Sequence, residues 1–112
     1  MKEENMDDKE YSLDQIRNAQ TEIALEMGEA GLDKQGMLLL EKASLRLRNL
    51  ERLLMSKIEA NLISALKEET KELRELTKEL SAASKRLFKL TGILKEVLKI
   101  TDRVIDILAL VK

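Results

Sequence analysis

The chain has 112 residues, of which 44% are hydrophobic and 37% are charged, and it contains no Cys, no His and no Pro. Without Cys and His there is no disulfide framework and no thiolate or imidazole metal site, and the usual acid–base side chain near neutral pH is missing. The formal charge of −1 also lacks the basic excess typical of a nucleic-acid-binding domain.

The charge is unevenly distributed along the chain. Residues 1–36 hold four basic and ten acidic side chains, whereas residues 85–112 hold seven basic and three acidic side chains. Opposite charges attract, so we expect the two ends to lie together. In particular, the basic side chains of Lys85, Arg86 and Lys89 are expected to face the acidic first helix.

The opening segment 1–10 is polar and acidic and has little to bury, so we expect it to be disordered. Residues 11–112 are then expected to form a single helical-hairpin domain. The opening segment also lacks the basic and apolar regions of a secretory signal, which favours a cytoplasmic protein.

The first helix is predicted over about 12–28. Ser12 and Gln15, three residues later, have the pattern of a capping box at its start. Glycines within 28–36 weaken the helix and mark a joint, where Asp33 is placed to cap the next helix.

The second helix is predicted over about 34–60. Its apolar seam ends at Leu54 and the next seam begins at Leu66, about 120° away around a helix that turns about 100° per residue. A continuous helix would have to switch its buried face, and a turn near Asn61 avoids this. An uninterrupted helix over 37–111 with a local stutter remains the alternative.

The third helix is predicted over about 64–111, because two positions repeat there every seven residues in a coiled-coil-like seam. The first position holds Leu66, Leu73, Leu80, Leu87, Leu94, Thr101 and Leu108, and the second holds Glu69, Leu76, Ala83, Leu90, Val97, Val104 and Val111. Glu69 is expected to be hydrated or paired with a base, since a buried unpaired charge is costly. The predicted fold class is therefore all-α: an elongated helical hairpin that self-associates into a helical bundle.

Over 93–111 the apolar surface is wider than a two-position seam, so one neighbouring helix cannot cover it. We expect a subunit contact there, with a homodimer favoured, and both parallel and antiparallel pairing remain open. The residues expected in this oligomer interface are Ile93, Val97, Leu98, Ile100, Val104, Ile105, Ile107 and Leu108.

The predicted function is a structural or adaptor helical module that mediates homo-oligomerisation and protein–protein interaction, with another helical protein as a further partner. The sequence offers no nucleophile with an identifiable base and no phosphate-cradling glycine loop, which argues against an enzyme. No cofactor and no metal are expected.

Two alternatives compete with this function. Arg46, Arg48 and Arg52 could contact phosphates in a small nucleic-acid-binding regulator, but the net charge is near zero and the chain has only one Tyr and one Phe for base stacking. Residues 93–111 could form an amphipathic helix on a membrane surface, but their mixed charges and missing aromatic anchors favour a partner helix. Helix pairing is therefore preferred over both.

Overall fold

The computed structural model describes residues 2–29, 32–56, 61–83 and 85–111, with side chains described between residues 9 and 110 of those ranges. These residues form four α-helices and one 3-10 helix, and none of them lies in a strand. The helices are α1 (Lys2–Gly28), α2 (Lys34–Met55), α3 (Leu62–Ala83) and α4 (Phe88–Val111), and the 3-10 helix covers Lys85–Leu87. The predicted all-α helical bundle is confirmed.

The four helices pack in a closed ring. Helix α1 contacts α2 and α4, and α3 also contacts α2 and α4. Along the α1–α4 contact, Ser12 meets Thr101 and Glu22 meets Lys89, so these two helices run antiparallel. The molecule measures 46 × 24 × 20 Å along its principal axes, the elongated shape of an antiparallel four-helix bundle.

The long helix predicted over 64–111 is wrong, because the structure divides it into α3 and α4. Helix α3 ends at Ala83 and α4 begins at Phe88, and the two helices pack against each other. The seam nevertheless continues across the break, since Leu80, Leu87 and Leu94 are all fully buried. Because the predicted long arm turns back on itself, the two-armed hairpin becomes a four-helix bundle.

The predicted turn near Asn61 is confirmed, and one continuous helix over 37–111 is excluded. Helix α2 ends at Met55, before the predicted end at residue 60, and α3 begins at Leu62. The Ser56 hydroxyl closes α2 by donating a 2.7 Å hydrogen bond to the Leu53 carbonyl. Residues 57–60 of the predicted helix lie outside the described residues.

Helix α1 begins at Lys2, and not at residue 12 as the capping box indicated. Ser12 lies inside the helix and is fully buried, with its Oγ 3.2 Å from Thr101 Oγ1 on α4. The side chains of residues 1–8 lie outside the described part, and the disorder expected for 1–10 stays a prediction.

The joint predicted between the first two helices is present. Helix α1 ends at Gly28 and α2 begins at Lys34. Asp33 caps α2 as expected, since its side chain accepts a 2.8 Å hydrogen bond from the Gly36 amide.

The core draws on all four helices, and each buried aliphatic side chain contributes about 1.5–3 kcal/mol relative to exposure. Its largest fully buried members are Ile16, Ile23, Leu40, Leu47, Leu50, Leu66, Leu73, Leu80, Leu87, Leu90, Leu94 and Val97. The contact between Ser12 and Thr101 is a polar interruption of this core where α1 meets α4.

We expect Ser12 and Thr101 to be energetically coupled. Removing one hydroxyl leaves a buried partner without its hydrogen bond, whereas removing both does not, so the double-mutant cycle of Ser12→Ala and Thr101→Val should give a coupling free energy of about 0.5–1.5 kcal/mol. Urea unfolding followed by circular dichroism measures it. Strictly additive effects of the two substitutions would contradict the predicted hydrogen bond.

Candidate interaction surface

Within the described residues, no group of three or more potential ligand side chains is arranged to hold a metal ion. Clefts lie between α1 and α2 and between α2 and α3, and their linings mix charged and aliphatic side chains. The features that distinguish one face of the bundle from another are therefore its charges and its exposed leucines.

Glu69 is paired with a base, as expected for a charged member of the seam. Arg46 Nη1 lies 3.2 Å from Glu69 Oε1, and Asn49 Nδ2 donates a 3.2 Å hydrogen bond to Glu69 Oε2. The Glu69 side chain is only 15% exposed, so this pair joins α2 to α3 in a partly desolvated position.

Arg46 does not share a face with Arg48 and Arg52, which line one cleft together with Glu51. Arg46 points toward α3, where it binds Glu69, whereas Arg48 lines a cleft that includes Met27 of α1. Side chains two positions apart on a helix are separated by about 200° around its axis, so Arg46 and Arg48 lie on different sides of α2. The basic face on which the nucleic-acid alternative depended is therefore divided.

The predicted oligomer interface is largely covered within one chain. Val97, Leu98, Ile100, Val104 and Ile105 are buried against the rest of the bundle. The remaining three predicted interface residues are half-buried: Ile93, Ile107 and Leu108. Because α4 has two neighbouring helices, its wide apolar surface needs no second chain, and the predicted contact between subunits would require a different surface.

The acidic first helix faces the basic fourth helix, as the charge distribution indicated. Arg86 Nε lies 3.5 Å from Glu26 Oε1, and Lys89 Nζ lies 3.6 Å from Glu22 Oε1. On the other side of α1, Arg17 Nε donates a 3.0 Å hydrogen bond to Glu51 Oε2 of α2. Ion pairs thus flank both sides of α1.

Tyr11 also joins α1 to α4. Its hydroxyl donates a 3.3 Å hydrogen bond to Glu96 Oε2, and the residue is 41% exposed. Desolvation raises the pKa of the phenol, and the nearby Glu96 carboxylate raises it further by charge repulsion with the phenolate and by accepting the hydrogen bond.

The outer side of α2 carries two exposed leucines on one line. Leu38 and Leu45 are each 49% exposed, although both side chains are aliphatic. Seven residues are two helical turns, so both side chains leave the helix in nearly the same direction. We call this pair the α2 ridge.

Clefts lie on both sides of the α2 ridge. The cleft toward α1 is lined by Met27, Glu41, Ser44, Leu45 and Arg48. The cleft toward α3 is lined by Lys42, Leu45, Arg46, Glu72, Glu75, Leu76 and Glu79. Leu45 belongs to both linings and therefore stands between two grooves, a shape that can interlock with the surface of another helix.

The α2 ridge was not predicted from the sequence. Leu38 stands in the run Leu38, Leu39 and Leu40, where hydrophobicity alone cannot show which side chains are buried. One signal was available. Leu38 and Leu45 are seven residues apart and lie on a different side of the helix from Leu40 and Leu47, which are buried.

None of the described helices combines the length and the apolar character needed to span a bilayer. Comparison of the chain with protein-family models, with curated proteins and with solved structures finds no match. The function must therefore be inferred from the surface of the bundle.

We expect the Tyr11 phenol to titrate above the ordinary tyrosine value of about 10. The chain has one Tyr and no Trp, so the ultraviolet absorbance of the phenolate reports this group alone. Because the folded-state pKa is raised, the associated stabilisation is present below the unfolded-state pKa and is lost as the pH rises through the folded-state pKa. Glu96→Gln should lower the midpoint; equal midpoints in wild type and variant would contradict the contact.

We expect Ile100 and Leu45 to differ sharply in their contribution to stability. Ile100 is 3% exposed, so Ile100→Ala should lower the free energy of unfolding by about 2–5 kcal/mol even at concentrations where the protein is monomeric. Leu45→Ala removes a half-exposed side chain and should cost less than about 1 kcal/mol. Denaturant unfolding at low protein concentration compares the two, and similar costs would show that α4 is not covered within the chain.

Proposed function

We propose that this chain is a structural or adaptor module that associates with itself, as a homodimer, and with other helical proteins. It acts by offering a helical surface to a partner and has no catalytic role. Within this proposal it works in the cytoplasm.

The α2 ridge is the observation that carries the proposal. The core is already filled by side chains from all four helices, so Leu38 and Leu45 are not needed to complete it. Among the side chains that the structure describes, the other large exposed apolar ones lie on other helices or at the end of α2: Tyr11, Leu25, Met55, Phe88 and Leu110. A local group of exposed leucines beside clefts is typical of a protein–protein contact.

The charged residues support a polar rim around such a contact. Glu41, Lys42 and Arg48 are exposed next to the ridge. Interfaces of soluble proteins commonly combine an apolar centre with a charged rim that fixes orientation and excludes wrong partners. The nucleic-acid alternative has no comparable support, because Arg46 is held by Glu69 and lies away from Arg48.

We expect self-association to depend on protein concentration and only weakly on salt. Sedimentation velocity from low micromolar to submillimolar protein should show the average mass rising from that of the monomer toward that of the dimer. Burial of leucines is insensitive to salt, whereas binding to phosphates weakens steeply with it.

The control is a titration of the same protein with a labelled DNA duplex and a labelled single-stranded RNA at low and moderate salt. A chain that stays monomeric over the whole concentration range, and that binds nucleic acid in a salt-sensitive way, would contradict the proposed function.

A further inference from the structure

We propose that the α2 ridge binds the α2 ridge of a second copy of this chain, with the two helices antiparallel and a two-fold axis close to Leu45. This inference rests on the proposed self-association and adds the location and the geometry of the contact. It is carried by the order of apolar and charged residues along α2.

The ridge is continued by a cation. Leu38, Leu45 and Arg52 follow one another at seven-residue steps, so they lie on nearly one line along the outer side of α2. Arg52 is exposed, and its Nη2 donates a 2.9 Å hydrogen bond to Asn49 Oδ1. Any partner of this ridge must therefore accept two leucines followed by one guanidinium.

The side of the ridge toward α1 carries one acid and one base. Glu41 and Arg48 line the cleft that contains Met27, and they are also seven residues apart. When two copies of a helix pair antiparallel about a two-fold axis, the same side of each helix faces its counterpart. With the axis close to Leu45, residues whose numbers add to about 90 lie opposite each other, so Glu41 lies within one residue of the position opposite Arg48 of the second copy, and the pair is formed twice.

The side toward α3 is compatible with the same axis. Lys42 then lies near Asn49 and Arg46 of the second copy, and Arg46 is already paired with Glu69 at 3.2 Å. Carboxylates of Glu72 and Glu75 line this cleft in each copy and offset the lysines. No unbalanced cluster of like charges results on this side.

Parallel pairing about a two-fold axis fits less well. It would set Leu38 against Leu38 of the second copy and Leu45 against Leu45 of the second copy, but Arg52 would face Arg52 of the second copy. Two guanidinium groups opposed at an interface repel each other. The antiparallel arrangement instead lays the aliphatic stem of Arg52 along Leu38 of the second copy, where it can cover apolar surface.

The contact is small and should be weak. A stable interface buries about 800 Å² on each partner, whereas the apolar centre here consists of two half-exposed leucines in each copy. Association is therefore expected to be reversible, with a mass that changes over an accessible range of protein concentration. This makes its dependence on single substitutions measurable.

The first test is Leu45→Lys, with Leu25→Lys as the matched control. Leu25 is 60% exposed on α1, away from the ridge, so the control introduces the same ammonium group elsewhere. Leu45→Lys should weaken self-association in sedimentation velocity by at least about tenfold, because an unpaired charge is costly to bury. Leu25→Lys should leave it unchanged, and circular dichroism should show intact helices in both variants.

The second test is a charge exchange between Glu41 and Arg48. Glu41→Arg alone and Arg48→Glu alone each place like charges opposite each other and should weaken association. The double variant restores opposite charges in the antiparallel arrangement, so its affinity should return toward that of the wild type. In a parallel arrangement Glu41 would face Lys42 of the second copy, and the double variant would stay as weak as Glu41→Arg.

The outcomes separate this inference from the proposed function. If the wild type dimerises and Leu45→Lys has no effect, or Leu25→Lys is equally damaging, the ridge is not the contact although self-association stands. If Leu45→Lys acts but the double charge exchange does not restore affinity, the antiparallel geometry is overturned. A wild type that is monomeric throughout overturns this inference and the self-association in the proposed function.

Discussion

The reversal of the chain between Ala83 and Phe88 determines how the apolar surfaces of this protein are covered. Because α3 turns back into α4, the last helix has α3 as well as α1 beside it. Its wide apolar surface is thereby buried within one chain: Ile100 is 3% exposed and Ile105 is 5% exposed. If residues 64–111 formed one continuous helix, the same side chains would face a single arm of a hairpin. A second chain would then be required to cover them.

The sequence predicted an all-helical chain and the turn near Asn61. It could not predict this reversal, because the seven-residue repeat of the seam does not change direction there. Between Leu54 and Leu66 the apolar face changes direction, so a turn was detectable. Between Leu80 and Leu87 the seven-residue step continues unchanged, and both leucines are fully buried on either side of the break. With no Gly or Pro there, periodicity cannot distinguish a continuous helix from two helices that share one core.

Local and tertiary interactions explain the different outcomes at the helix ends and at the candidate site. Asp33 caps α2 as predicted, because its bond to Gly36 involves only neighbours in sequence. Ser12 has the same local signal, but its hydroxyl is buried against Thr101, a contact that depends on the packing of α1 on α4. The predicted oligomer interface failed to appear as an open surface for a related reason: sequence shows how apolar a helix is, but not how many neighbours cover it.

Part of the uneven charge distribution is used in contacts between helices. The acidic α1 meets Arg86 of the 3-10 helix through Glu26 and Lys89 of α4 through Glu22, so two acids of the first helix are paired with bases near the start of α4. What remains outside is a mixed surface, on which charge pattern can orient a contact but net charge cannot drive one. Glu41 and Arg48 are placed to act in this way, because they line the same cleft as the half-exposed Leu45. At the proposed contact, specificity would come from the alignment of few charges around few leucines.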